Sequence, residues 1–480
     1  MNRRMVLYVV GTVIKIEALL MLLPLITSLI YKESCAEDIL ISVGIALAAG
    51  FALTVLSKPG NKVIYAKEGF VIVSLAWIAL SLVGALPFYI SREIPSFVDA
   101  FFETVSGFST TGASILTDVE KMSKGLLLWR SFTHWVGGMG VLVFVMAIIP
   151  TVSDRSIHIL RAEAPGPVVG KIVPKMKQTA RILYIIYIAM TVVTFVFLLA
   201  GDMPIFDSII HAVGTAGTGG FGIKADSVGS YSPYIQWVIT IAMIVFAINF
   251  NIYYFVLIKR YKTALKNEEL MAFVLMVIVG TIAVFFNIKP IYGSASESIR
   301  HAAFQVSSII STTGFSTVDF NAWPSFSKTI LLILMFSGGC AGSTAGGFKV
   351  SRIVLLVKTI KRELKKLIHP RAVAVVKLDG RKVSENTVTS LHSYFAIYAA
   401  LFALVVILLG IDMFDLETNI AVAASCLNNI GPGLGMAGPA SSYEMYSPLS
   451  KLVLSFAMLF GRLEIFPLIL TFSPSTWVKK

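Results

Sequence analysis

The sequence predicts an all-α integral membrane protein of ten transmembrane helices, and three observations predict it. The 480 residues are 56% hydrophobic and only 14% charged, against about 25% charged in an average soluble domain. The mean hydropathy is +0.81. The apolar residues fall into runs near the ~20 residues that a helix needs to cross the hydrocarbon, and every second connection between them is basic. The formal charge of +13 is then read as cytoplasmic Lys and Arg rather than as a nucleic-acid surface. Cys35, Cys340 and Cys426 are few and far apart, which supports neither a disulfide framework nor a zinc site.

The first run, 5–30, follows Arg3 and Arg4 and exceeds the ~7–15 residues of a signal-peptide core, so it is read as a retained helix. The further spans are 38–57, 69–90, 125–150, 181–200, 232–258, 270–288, 328–357, 390–411 and 448–472. Lys58, Lys62 and Lys67 follow the second span, and Arg155, Arg161, Lys171, Lys175, Lys177 and Arg181 follow the fourth. Lys259, Arg260, Lys262 and Lys266 follow the sixth, a dense basic stretch over 358–382 follows the eighth, and Lys479 and Lys480 follow the tenth. Acidic residues mark the alternate side: Glu33, Glu37 and Asp38, then Asp202 and Asp207, then Asp412, Asp415 and Glu417. Both termini are therefore expected in the cytoplasm.

The outward connections after the third, fifth, seventh and ninth spans are apolar and rich in Gly, Ser and Thr rather than solvated. Each starts with an apolar stretch too short to cross, over 97–109, 206–217, 297–311 and 418–428, the length of a re-entrant helix. Each then runs into a glycine-centred segment: FSTTGAS (108–114), AGTGGFG (216–222), ISTTGFS (310–316) and LNNIGPG (427–433). One motif is thus used four times, with Gly112, Gly220, Gly314 and Gly431 in register.

Irregular backbone at membrane depth is tolerated only where it is buried in protein or lines a wet cavity. Glycine permits the φ values that turn successive carbonyls toward one axis. Rings of carbonyl oxygens can replace a cation's hydration shell, and the C-terminal ends of the short helices would add negative potential there. The competing reading is four tight Gly/Thr turns without a selective role. Their fourfold register weighs against it.

These residues resemble the Trk/Ktr/HKT superfamily of potassium transporters. The STTG segments, the fourfold helix–pore-helix–filter–helix plan and RSFTHWVGGMG (130–140) carry the likeness. The two extra N-terminal spans, GGCAGSTAGGFK (338–349) and FGRLEIFP (460–467) point to its TrkH-type branch. The resemblance implies eight spans arranged as four pseudo-repeats around one central pore. It divides the chain into an N-terminal two-helix extension (1–57) and pore repeats at 58–150, 151–260, 261–368 and 369–480. It implies a K⁺ filter formed by Thr110, Thr111 and Gly112, by Thr218, Gly219 and Gly220, by Thr312, Thr313 and Gly314, and by Asn429, Ile430 and Gly431. The fourth copy keeps the glycine and loses the threonines, which puts the chemistry on the backbone.

Span eight carries five glycines in ten residues, each costing about 1 kcal/mol in a helix relative to alanine. The resemblance makes Gly338, Gly339, Gly342, Ser343, Thr344, Gly346 and Gly347 an intramembrane gating loop; close packing of small residues is the alternative. Arg462 lies within span ten, where a charge needs water or a partner. It is expected to act on the pore, as an electrostatic barrier or by pairing with the gating-loop carbonyls. Glu464 is expected to be a packing partner, and Arg130 and His134 are assigned packing and interfacial roles.

No nucleotide site is expected in this chain. GLGMAG (433–438) fits G-x-G-x-x-G without a βαβ setting, and GSTAGGFK (342–349) fails the P-loop spacing. The resemblance implies transported K⁺ as the only ligand, a homodimer in the bacterial inner membrane, and a cytosolic TrkA-like RCK subunit that binds NAD or ATP. The basic stretch 358–382 suits such a partner or anionic lipid equally. The function expected is gated, channel-like potassium uptake, and the chain is not expected to be an enzyme. The alternative is a proton- or sodium-coupled symporter, for which Glu17 and Glu464 are the only carboxylates noted within spans.

Overall fold

The computed structural model describes residues 1–60, 64–140, 176–371 and 374–477. Outside the described residues lie 141–150 of the fourth predicted span, the division at 150/151, Lys62, Arg155, Arg161, Lys171, Lys175, Lys479 and Lys480. The fold is all-α. Among the described residues the sole strands are a two-residue hairpin, β1 (Lys377–Leu378) against β2 (Arg381–Lys382). Its turn is Asp379-Gly380, both with positive φ (50° and 75°), the pairing that a tight hairpin turn requires.

The chain begins with α1 (Arg3–Leu20), α2 (Leu22–Tyr31), α3 (Cys35–Leu56), α4 (Ala66–Gly84) and α5 (Leu86–Ile90). A short helix, α6 (Phe97–Phe108), leads into a loop and then α7 (Lys124–Gly138). The same sequence of long helix, short helix, loop and helix recurs three times. It is α8 (Met176–Ala200), α9 (Ile205–Ala216), α10 (Pro233–Phe246) and α11 (Phe250–Leu257), followed by α12 (Tyr261–Leu265). It is then α13 (Glu268–Ile288), α14 (Ala295–Ile310), α15 (Ser325–Ser337) and α16 (Val350–Ile368). Last come α17 (Glu385–Leu409), α18 (Leu416–Leu427), α19 (Pro448–Arg462), α20 (Phe466–Phe472) and α21 (Pro474–Trp477).

The four short helices α6, α9, α14 and α18 fall where the sequence placed them, and local chemistry explains their starts. Ser96, Ser294 and Asp415 cap α6, α14 and α18 by accepting from backbone N–H groups of the first turn. Asp99, Asp207, Glu297 and Glu417 put a carboxylate in each first turn, where the helix dipole favours it. All four helices are largely buried.

Among the described residues, six helices are long and apolar enough to cross a membrane, and a seventh is reached if α10 and α11 count as one bent span. The expected spans at 232–258, 328–357 and 448–472 are therefore not straight helices. The sixth bends by 90° between α10 and α11, because residues 246–250 bind another segment: the Ala247 carbonyl accepts from Cys340 N, and Phe250 N donates to Gly342 O. The eighth breaks at 338–349, as its glycines foretold. The tenth breaks at Glu464 and Ile465, both with positive φ (56° and 68°).

Candidate functional site: four loops around one axis

Each short helix ends in the same hydrogen-bonded turn. Thr111 N donates to Ser106 O (2.9 Å), Gly219 N to Gly214 O (3.0 Å), Thr313 N to Ser308 O (2.9 Å) and Ile430 N to Ser425 O (3.0 Å). This is the six-to-one bond of a Schellman motif, whose pivot residue is left-handed and usually glycine. Here the pivots are Thr110 (φ 60°), Thr218 (54°), Thr312 (56°) and Asn429 (56°). Three β-branched residues in that region store strain of about 1–2 kcal/mol each. Two residues on, Gly112, Gly220, Gly314 and Gly431 are left-handed again, at φ 80°, 74°, 86° and 104°.

The glycines close the four loops into a ring. A Cβ on Gly112 would strike the Gly219 carbonyl oxygen, one on Gly220 the Thr313 carbonyl, and one on Gly314 the Ile430 carbonyl. On Gly431 it would come 2.7 Å from the Thr111 carbonyl oxygen. Each repeat thus abuts the next and the fourth returns to the first. No side chain fits at any of the four contacts.

Among the described residues, no protein donor reaches the carbonyl oxygens of 110–112, 218–220, 312–314, 429 or 430. Thr110, Thr111, Thr218, Thr312, Thr313, Asn429 and Ile430 are all fully buried. Buried carbonyls are otherwise nearly always paired. The hydroxyls, by contrast, are engaged with protein. Thr111 Oγ1 pairs with Ser109 Oγ (2.7 Å) and accepts from Asn429 Nδ2 (3.0 Å). Thr313 Oγ1 pairs with Ser311 Oγ (2.7 Å), Thr218 Oγ1 donates to Gly217 O (2.6 Å), and Thr312 Oγ1 accepts from Gly346 N (2.6 Å). Apart from the buried Oδ1 of Asn429, the free oxygens at the ring among the described residues are backbone oxygens. With four helix C-termini aimed at it, the ring suits a cation.

A hydrogen-bonded belt ties the loops together just beyond the ring. Between the first and second repeats, Arg130 Nε meets Glu103 Oε1 at 2.5 Å and Arg130 Nη1 donates to Gly222 O (3.1 Å). The guanidinium also lies 3.5 Å from the centre of the Phe221 ring, while Glu103 accepts from Ser114 Oγ (2.9 Å) and Ile115 N (3.0 Å). Between the second and third, Val228 N donates to Ser316 O and Ser316 N to Ser227 Oγ. Between the third and fourth, Asn321 gives its amide N–H to Gly435 O (2.7 Å) and accepts from Gly435 N (3.0 Å). Tyr443 N donates to Ser114 O (2.8 Å) and closes the belt.

On the other side of the ring lies the loop 338–349. Its neck is closed by Lys349 N to Ser337 O (2.9 Å) and Val350 N to Gly339 O (3.1 Å), and Gly338 and Gly347 touch where neither could carry a side chain. Its tip meets the ring through Gly346 N and Thr312, and a Cβ on Gly346 would press on Asn428 and Asn429. Arg462 binds the Thr344 carbonyl (2.9 Å), the Gly137 and Gly138 carbonyls (2.5 and 2.6 Å) and Thr110 Oγ1 (3.4 Å). Of these partners only Thr344 lies on the loop, and Gly137 and Gly138 end α7. Glu269 accepts from Ala341 N (2.6 Å) and Ser351 N (3.0 Å), gripping both feet of the loop. Glu464 forms an ion pair with Arg352, consistent with a packing role.

The assignment of Arg130 and His134 to packing and interfacial roles is incomplete. Arg130 belongs to the belt. The His134 ring fills the space beside Gly219, where any side chain would collide with it, and this accounts for TGG replacing TTG in the second repeat. Glu103, Ser425 and Tyr443 were also passed over. A carboxylate in the apolar stretch FFETVSG and an arginine inside a neighbouring span were the available signal.

The chain is similar over nearly its whole length to known proteins. A family model described as "TrkH: Cation transport protein" matches residues 36–479. The Trk system potassium uptake protein TrkH of Salmonella typhimurium is 37% identical, over 99% of this chain and 100% of the relative. The Trk system potassium uptake protein TrkG of Escherichia coli is 32% identical, over 99% of this chain and 98% of the relative. The crystal structure of the potassium transporter TrkH from Vibrio parahaemolyticus superposes with a TM-score of 0.89 at 32% identity, covering 100% of both chains.

Proposed function

Since the chain belongs to the TrkH family of cation transport proteins and is a membrane transporter rather than an enzyme, we propose that it takes up potassium ions through the four-loop ring. The observation that carries this reading is the set of buried carbonyls without protein donors. An unsatisfied polar group costs several kcal/mol at membrane depth, and a dehydrated K⁺ on the axis supplies the missing partner. Thr110 to Gly112, Thr218 to Gly220, Thr312 to Gly314, and Asn429 and Ile430 offer these oxygens through the backbone. An inside-negative membrane adds ~2.3 kcal/mol per charge per 100 mV, enough to drive accumulation without hydrolysis in this chain.

In this reading the chain sits in the bacterial inner membrane with both termini cytoplasmic, as a homodimer. It comprises the 1–57 extension and the four pore repeats at 58–150, 151–260, 261–368 and 369–480. A cytosolic NAD/ATP-binding RCK subunit meets the basic surface over 358–382. The loop from Gly338 through Gly339, Gly342, Ser343, Thr344, Gly346 and Gly347 is the gate, and Arg462 pins it beneath the ring. Deleting 342–347 is then expected to raise basal K⁺ flux several-fold in proteoliposomes without the partner. A silent deletion in folded protein would count against the gate.

Proton coupling is the second reading, and one observation favours it. Glu17 is buried in α1 with neither carboxylate oxygen meeting a donor among the described residues. It lies beside Gly84, behind α6 rather than at the ring. Recordings from the purified protein in liposomes separate the two readings. A reversal potential that follows the K⁺ gradient and ignores pH supports the pore, and stoichiometric proton movement would sink it.

A further inference from the structure

The ring is not fourfold at its outer edge. Gly431 O accepts from Tyr443 Oη at 2.6 Å and from Ser425 Oγ at 2.8 Å, so both of its lone pairs are used. Among the described residues no donor reaches Gly112 O, Gly220 O or Gly314 O. All four glycines line an outer cavity of about 390 Å³, with Gly112, Gly220 and Gly314 partly exposed and Gly431 buried. Its φ of 104° also departs from their 74–86°.

Six residues before the glycine, the first, third and fourth repeats carry a serine (Ser106, Ser308 and Ser425) and the second carries Gly214, and the last two serines show how the fourth repeat differs. In the third repeat Ser308 Oγ donates to Phe315 O (2.6 Å), one residue past Gly314. In the fourth, Ser425 holds the carbonyl of the glycine itself. The next residue is Pro432, where the other repeats have Ala113, Phe221 and Phe315. Proline fixes its own φ and restricts the residue before it, so the serine and Tyr443 take up the carbonyl that this backbone turns outward.

We infer that the outermost cation position is three-sided, formed by the carbonyls of Gly112, Gly220 and Gly314, with Tyr443 and Ser425 as the positioning residues that hold the fourth carbonyl away. A cation there keeps part of its water shell on the side of the fourth repeat, and the deeper rings complete its dehydration. This inference rests on the reading of the ring as a K⁺ filter.

The test is the K⁺-to-Na⁺ permeability ratio, from reversal potentials of the full chain in liposomes, for Tyr443→Phe, Ser425→Ala, the double variant and Ser425→Thr. Each single variant removes one of the two donors and is expected to raise the ratio by less than the double variant does, and Ser425→Thr, which keeps the hydroxyl, should reverse the effect of Ser425→Ala. The double variant frees the Gly431 carbonyl and should raise the ratio about fivefold, the effect of one polar contact of ordinary net strength. An unchanged or lower ratio in a double variant of wild-type thermal stability would overturn the inference. If the double variant does not fold, Tyr443→Phe with Ser425→Gly is read by the same criterion. Gly112→Ser, measured alongside, separates the failures. If it too leaves the ratio unchanged, the filter reading itself has failed.

Discussion

Gly314→Ser is expected to lower the preference for K⁺ over Na⁺ about tenfold, because the position has neither the space nor the backbone geometry for a side chain. A Cβ there would strike the Ile430 carbonyl oxygen and lie 2.9 Å from Pro432 Cδ. Relief requires the Ile430 carbonyl to move, and that oxygen is one of the free oxygens on the axis. The left-handed φ of 86° adds a second cost, about 1–2 kcal/mol for a residue with a Cβ. Relaxing either strain reshapes the ring. Gly112→Ser should act in the same way through the Gly219 carbonyl, in the neighbouring quarter. Bi-ionic reversal potentials measure the effect, and an unchanged ratio in folded protein would remove these glycines from the filter.

Both mutations act on the feature that was most legible in the sequence. The short helices could be located to within two residues because length, capping and terminal glycines are local signals. Their repetition supplied the register. Features set by contact between distant segments could not be read in this way. The bend between α10 and α11 exists because residues 246–250 bind the loop at 338–349. In the sequence this stretch is only a continuous apolar run with Asn249 and Asn251 in it. The left-handed Ile465 after α19 follows Glu464, which is turned toward Arg352 on α16, and no propensity places isoleucine there. Gly219 stands where the first and third copies have threonine, and His134 occupies the place of its side chain. The cause lies on another helix, 85 positions away along the chain.

The pair Glu103–Arg130 joins these two kinds of information, and mutating it should separate stability from selectivity. Both side chains are buried, at 1% and 4% exposure, and their polar atoms are taken up by Ser114, Ile115 and Gly222. Removing one partner leaves an uncompensated buried charge, so Glu103→Ala or Arg130→Ala should each cost about 3–5 kcal/mol of stability. Replacing both with apolar residues of similar size, Glu103→Leu with Arg130→Met, removes the charge problem and should recover much of that loss. It cannot restore the bonds that hold the first and second loops in register. The double variant is therefore expected to melt near wild type and yet discriminate poorly between K⁺ and Na⁺. If the pair serves packing alone, selectivity will return along with stability. Thermal melting and reversal potentials measured on the same preparations decide between these outcomes, because only a positioning role moves the second readout without the first.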